Sequence, residues 1–128
     1  MKKLVCLLLV VALCISLGAC GNSVPDGFTE TTYNSGNEAL KIMDKYLSGK
    51  IKADKVAEKL STILEQLKAE SEVLEQRVED EDYDAMSSNY WNGSVTFWIS
   101  AFCAEMYSSG TTRCQTVRDN LENILKAE

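Results

Sequence analysis

From residue 35 onward, apolar residues recur at helical spacing along most of the chain. Leu40, Met43 and Leu47 fall on one face, which Ala39, Ile42 and Tyr46 widen. Ser35 and Glu38 precede them as an S-x-x-E capping box, and Ser48-Gly49 closes the run. A first helix is therefore expected over Gly36 to Ser48, with Gly49 as its left-handed cap. A longer stripe follows in Val56, Leu60, Ile63, Leu64, Leu67, Leu74 and Val78, with Ser71 as a polar gap. It predicts a second helix over Asp54 to Val78, roughly 37 Å long at 1.5 Å per residue. Trp91, Val95, Trp98, Phe102 and Met106, flanked by Ile99 and Cys103, form a third stripe. Within it Asn92-Gly93 is a strong hairpin signal. A two-stranded hairpin without a third strand is marginal in water, so the reading preferred is a third helix that runs to about Tyr107 and starts as early as Ala85. After Ser108-Ser109-Gly110, Thr112 and Gln115 make a second capping box, and Val117, Leu121, Ile124 and Leu125 give a fourth apolar face. The expected fold is all-α, a small antiparallel bundle of three to four helices, with the first helix shorter than the rest.

The residues before this domain carry a different pattern. Met1-Lys2-Lys3 is basic, and Leu4 to Leu17 is apolar apart from Ser16. About 14 residues are too few to span a hydrocarbon core of roughly 30 Å, but they suit the apolar region of a secretory signal. Leu17-Gly18-Ala19-Cys20 then resembles the lipobox of bacterial lipoproteins. The resemblance implies cleavage before Cys20 and lipid on its thiol, where two or more acyl chains would anchor the chain stably. The domain reading is thus a signal peptide over 1–19, a lipidated cysteine and flexible tether over 20–34, and a helical domain over 35–128. The expected location is the extracytoplasmic face of the bacterial cell membrane.

Charge narrows the partners. The whole chain sums to −6, and loss of Lys2 and Lys3 with the signal leaves −8. A negative surface speaks against nucleic acid and against adhesion to anionic lipid by charge alone. The partners expected are the membrane, through lipid on Cys20, and an envelope protein or a glycan.

The run Ala39-Leu40-Lys41-Ile42-Met43-Asp44-Lys45-Tyr46-Leu47-Ser48-Gly49-Lys50-Ile51, continuing to Lys59-Leu60, resembles small lipoproteins of low-GC Gram-positive bacteria. The likeness extends, more thinly, to Arg118-Asp119-Asn120-Leu121. It implies an envelope address and a helical fold and brings no activity with it.

Candidate chemistry is sparse. With no histidine in the chain, a Ser-His or Cys-His nucleophile has no base. No catalytic residue, metal site or cofactor is expected, and the protein reads as non-enzymatic. Asp80, Asp82 and Asp84 begin like a calcium loop, but Ala85 and Trp91 stand where that loop needs Gly and Glu. Cys103 and Cys114 flank the Gly110 turn and face inward at a similar level, so they are a candidate disulfide; two buried free thiols are the alternative. Seven of the ten aromatics lie between Tyr83 and Tyr107. Most suit a core, while Tyr90, Trp91 and Phe97 are candidates for a ligand-binding rim over segment 83–107.

Overall fold

The computed structural model describes residues 23–108 and 110–126. The expected signal peptide and Cys20 lie outside the described residues. Four helices follow one another: α1 (Glu30–Leu47), α2 (Ala53–Glu79), α3 (Tyr83–Ser108) and α4 (Thr111–Leu125). Short turns join them, and each packs on its neighbours in the order α1–α2–α3–α4–α1, with a smaller α1–α3 contact across the middle. The result is the antiparallel four-helix bundle that the apolar periodicity predicts. Its shortest helix is α4, with 15 residues against 18 in α1, not the first as expected.

The core comes from the predicted stripes. Leu40 and Met43 of α1, Val56, Leu60, Ile63 and Leu67 of α2, Val95, Ile99 and Phe102 of α3, and Val117 and Leu121 of α4 form one buried cluster. Ser71, the polar gap in α2, donates across to Asn89 Oδ1 of α3 at 3.2 Å, so the gap is filled by a hydrogen bond.

The helix ends show where local chemistry decides. Gly49 is left-handed (φ 75°), and the N–H groups of Gly49 and Lys50 donate to the carbonyls of Tyr46 and Lys45. This is the Schellman closure that glycine at this position favours. The same closure ends α2, where Glu81 takes the left-handed conformation (φ 63°) and the N–H groups of Glu81 and Asp82 donate to Val78 and Arg77. Asp82 then starts α3: its Oδ1 accepts from the N–H groups of Asp84 and Ala85, and its Oδ2 pairs with Arg77 at 2.7 Å. The acidic run is a tight connection between two helices.

Two local expectations are corrected. α1 begins at Glu30, so the expected tether is folded over its last residues. Thr29 is the N-cap, its hydroxyl accepting from the Thr32 N–H at 3.2 Å, and Ser35 is buried inside the helix. α4 begins at Thr111 after Gly110, which has no side chain to cap it; Thr112 is already helical, and Gln115 donates to Asp119. At Asn92-Gly93 the preferred helical reading holds, since the pair lies in the middle of α3. Asn92 is buried and donates to Thr32 Oγ1 at 3.1 Å, a bond that ties α3 to the start of α1. That partner satisfies an amide that would be costly to bury alone.

Candidate functional site

The surface of α3 is unlike that of the other helices. α2 carries eleven charged residues in 27, the ordinary dressing of a solvated helix. α3 carries two in 26, Asp84 and Glu105. Its apolar residues do not stop at the core stripe. Tyr83, Met86, Tyr90, Phe97 and Tyr107 are 54–77 % exposed, and Gly93, Ser100 and Ala104 are exposed between them. These eight alternate at spacings of three and four, so they lie on one face, opposite the buried Val95. The flanking positions Ser87, Asn89, Ser94 and Thr96 are polar and uncharged. α3 therefore has two apolar faces, one in the bundle and one toward solvent. The solvent face extends over about 36 Å at 1.5 Å per residue.

The three aromatic rim candidates are divided by this arrangement. Tyr90 and Phe97 are on the outer face, 68 % and 61 % exposed. Trp91 is turned inward, half-buried against the core, and stacks on Phe28 with ring centroids 4.9 Å apart. The chain before α1 closes over that ring. Gly27, at φ 86°, comes so near that a Cβ there would lie 2.8 Å from Trp91 Nε1 and 2.9 Å from Ser87 Oγ. One residue along a helix is 100° of rotation, so Tyr90 faces solvent and Trp91 the core, although their rings still meet edge-on with centroids 5.3 Å apart. Sequence reasoning missed Tyr83, Met86 and Tyr107 as members of the outer face, although their spacing was there to be read.

Cys103 and Cys114 are free thiols, Cys103 half-buried beside the core and Cys114 buried within it. Burial pushes both thiols above their ordinary values, and the Glu105 carboxylate adds to the effect at Cys114. A raised thiol is a poor nucleophile at neutral pH, so neither has the character of a reactive cysteine. Among the described residues no three carboxylates or thiols gather as a metal site, and no helix is long and apolar enough to cross a membrane.

On the opposite side of the bundle, Arg118 of α4 reaches Asp44 of α1 through Nε–Oδ1 at 2.8 Å and Nη2–Oδ2 at 3.2 Å. Glu122 and Asp119 complete its shell. The Asp44 hydrogen bonds, then those of Glu122 and Asp119, hold the guanidinium more firmly charged than usual. The two segments that carry the lipoprotein resemblance thus meet here, in a pair that fastens α1 to α4.

No protein-family model matches the chain, and no curated protein and no solved structure matches it.

Proposed function

We propose that this chain is a lipid-anchored protein of the bacterial cell envelope, and that its four-helix domain is a non-enzymatic interaction module that presents the outer face of α3. One observation carries the interaction reading: a helix face of eight residues, five of them large and apolar, is left in solvent with no charge on it. Single exposed apolar residues are ordinary, but a contiguous row of them marks a contact surface. Tyr-rich composition with Lys and Glu depleted is the character of an interface core. Support for the anchor comes from the order of basic start, apolar run and Leu17-Gly18-Ala19-Cys20.

Two measurements test the two halves. Cys20→Ser should leave unprocessed precursor in the cell; a variant that still matures and stays on the membrane overturns the anchor. A photo-reactive phenylalanine at position 90 or 97 should give light-dependent protein adducts in cells, where the same probe at Glu72, exposed on α2, should give none. Equal absence at all three positions overturns the interaction reading.

A further inference from the structure

The eight outer positions of α3 have a symmetry that names the occupant. They are Tyr83, Met86, Tyr90, Gly93, Phe97, Ser100, Ala104 and Tyr107, and they are arranged symmetrically about residue 95. Turned by a two-fold axis at that point, α3 meets a second α3 running the other way. Met86 then faces the partner's Ala104, Tyr90 faces the partner's Ser100, and Gly93 faces the partner's Phe97. Tyr83 and the partner's Tyr107 close each end. Each inner layer sets a large side chain against a small one, as two meshed helices 8–10 Å apart require. Other alignments fail on the same side chains. A parallel pair sets Gly93, Ser100 and Ala104 each against itself and leaves gaps. An antiparallel pair shifted one heptad sets Met86 against the partner's Phe97 and gives up the end layers.

From this self-complementarity we infer that the outer face of α3 pairs with the same face of a second copy of this chain, antiparallel and centred on residue 95. The inference rests on the reading of this face as an interaction surface and names its partner. Closed two-fold pairing needs a patch that matches itself, and this one does. Its size is adequate. At about 200 Å² for an aromatic side chain, the four exposed rings and Met86 present on the order of 650 Å² per copy. Two copies remove about 1,300 Å², within the roughly 1,200–2,000 Å² of a stable standard interface. Charge opposes the contact little: none of the eight is charged, and the acids that border them, Asp54 at the Tyr107 hydroxyl and Glu105 beside Ala104, lie toward one end.

Gly93, one of the eight, adds a further sign. It lies inside a helix, where glycine is unfavourable, yet a Cβ there would meet nothing within 4 Å. The fold of one copy does not need glycine at this position; the ring of the partner's Phe97 does.

Light scattering of the full chain in mild detergent tests the pairing. Two copies per particle are expected at about 100 μM, and at least a tenfold weaker association for Gly93→Leu and for Phe97→Asp, each with an unchanged helical spectrum. A single copy for the unmodified chain overturns the inference. Orientation is read from oxidation of one introduced cysteine at a time in a Cys103→Ala, Cys114→Ala background of the processed chain, whose Cys20 carries the proposed lipid. Ser94→Cys lies within about 3 Å of its counterpart along the axis, and Ser87→Cys about 24 Å away, at 1.5 Å per residue. Covalent dimer from Ser94→Cys and not from Ser87→Cys is expected; equal yields, or the reverse, overturn the antiparallel pairing. If the chain is single but the photo-probe at position 97 forms adducts with a different protein, self-pairing is refuted and the interaction reading stands. If it is single and no adduct forms, both fall.

Discussion

Phe28→Ala tests where the folded domain begins. Phe28 precedes the N-cap of α1, in a segment whose Gly, Pro, Asn and Thr content suggests a tether. In the structure it is 9 % exposed, stacks on Trp91 and touches Tyr33 edge-on with centroids 5.9 Å apart. Removing a buried Phe side chain costs about 3–5 kcal/mol in the middle of a core. Here the loss is smaller, because residues 23–29 can detach without unfolding the bundle, and their docking free energy sets the ceiling. About 2–3 kcal/mol is expected, and at roughly 4–8 °C per kcal/mol for a domain of this size the melting temperature falls by roughly 10–20 °C. Thermal unfolding followed at 222 nm measures it. Tryptophan emission should shift to the red as the Trp91 ring loses its cover. Val73→Ala, at a residue of α2 that is 58 % exposed, is the control and should change stability by less than about 0.5 kcal/mol. A Phe28→Ala protein that melts within 3 °C or so of the unmodified chain, with unchanged emission, would show that the segment is a tether after all.

Glu81→Gly should raise stability by about 0.5–1 kcal/mol, seen as a higher denaturant midpoint at unchanged slope, because it relieves a left-handed side-chain residue. Gly36→Ala should lower it by up to about 2 kcal/mol, since the new Cβ would lie 2.7 Å from Leu125 Cδ2 and overpacking outweighs the gain in helix propensity; Leu125→Ala should be less harmful in that background than alone. The Arg77 hydrogen bond, then those from the Ala85 and Asp84 N–H groups, hold the Asp82 carboxyl below its usual value. Its stabilising contribution is therefore present above the ordinary carboxylate range and lost as pH falls through the lowered value. Asp82→Asn should melt below the unmodified chain at pH 7, and the gap should narrow as pH falls below the ordinary carboxylate range; a gap independent of pH refutes the assignment.

Helix number and core were legible because both depend on periodicity. Val56, Leu60, Ile63 and Leu67 can be buried together only on a helix, and Gly49 marks its turn by what glycine alone does easily. The start of α1 was illegible for a physical reason. Thr32, Ser35 and Gly36 are polar or small yet buried, and their burial depends on Asn92 and Leu125, which are distant in sequence. Ser35 has the composition of a cap and the position of a core residue; Thr29 followed by Glu30 was the weaker local signal and the right one. The hairpin signal of Asn92-Gly93 is overridden in the same way, as the helical reading expects, since its amide finds Thr32 and its glycine is exposed on a helix. The aromatic segment was recognised as unusual, but its residues were sorted by neighbourhood in sequence. Tyr90 and Trp91 are adjacent in the chain and serve different faces.

The folded start of α1 also bears on how two anchored copies could meet. From Cys20 to the packed Phe28 the chain can extend about 28 Å at most, a shorter leash than a tether reaching residue 34 would allow. That leash leaves the domain beside Trp91 and Ser87, in the N-terminal third of α3 and to one side of its outer face. Ser87 and Ser94 flank that side; Asn89 and Thr96 flank the other. In an antiparallel two-fold pair each flank meets its own kind, so both leashes emerge on the same side of the dimer. In a parallel pair each flank meets the opposite kind, and the leashes emerge on opposite sides. With Cys20 as the proposed anchor, the antiparallel pair sends both leashes toward one membrane. A shared membrane would also raise the concentration each copy sees of the other, so a face of modest affinity in solution would be well occupied there. The large-against-small order of the outer residues selects the antiparallel pair, and the exit of the leash, set by a different part of the chain, agrees with it.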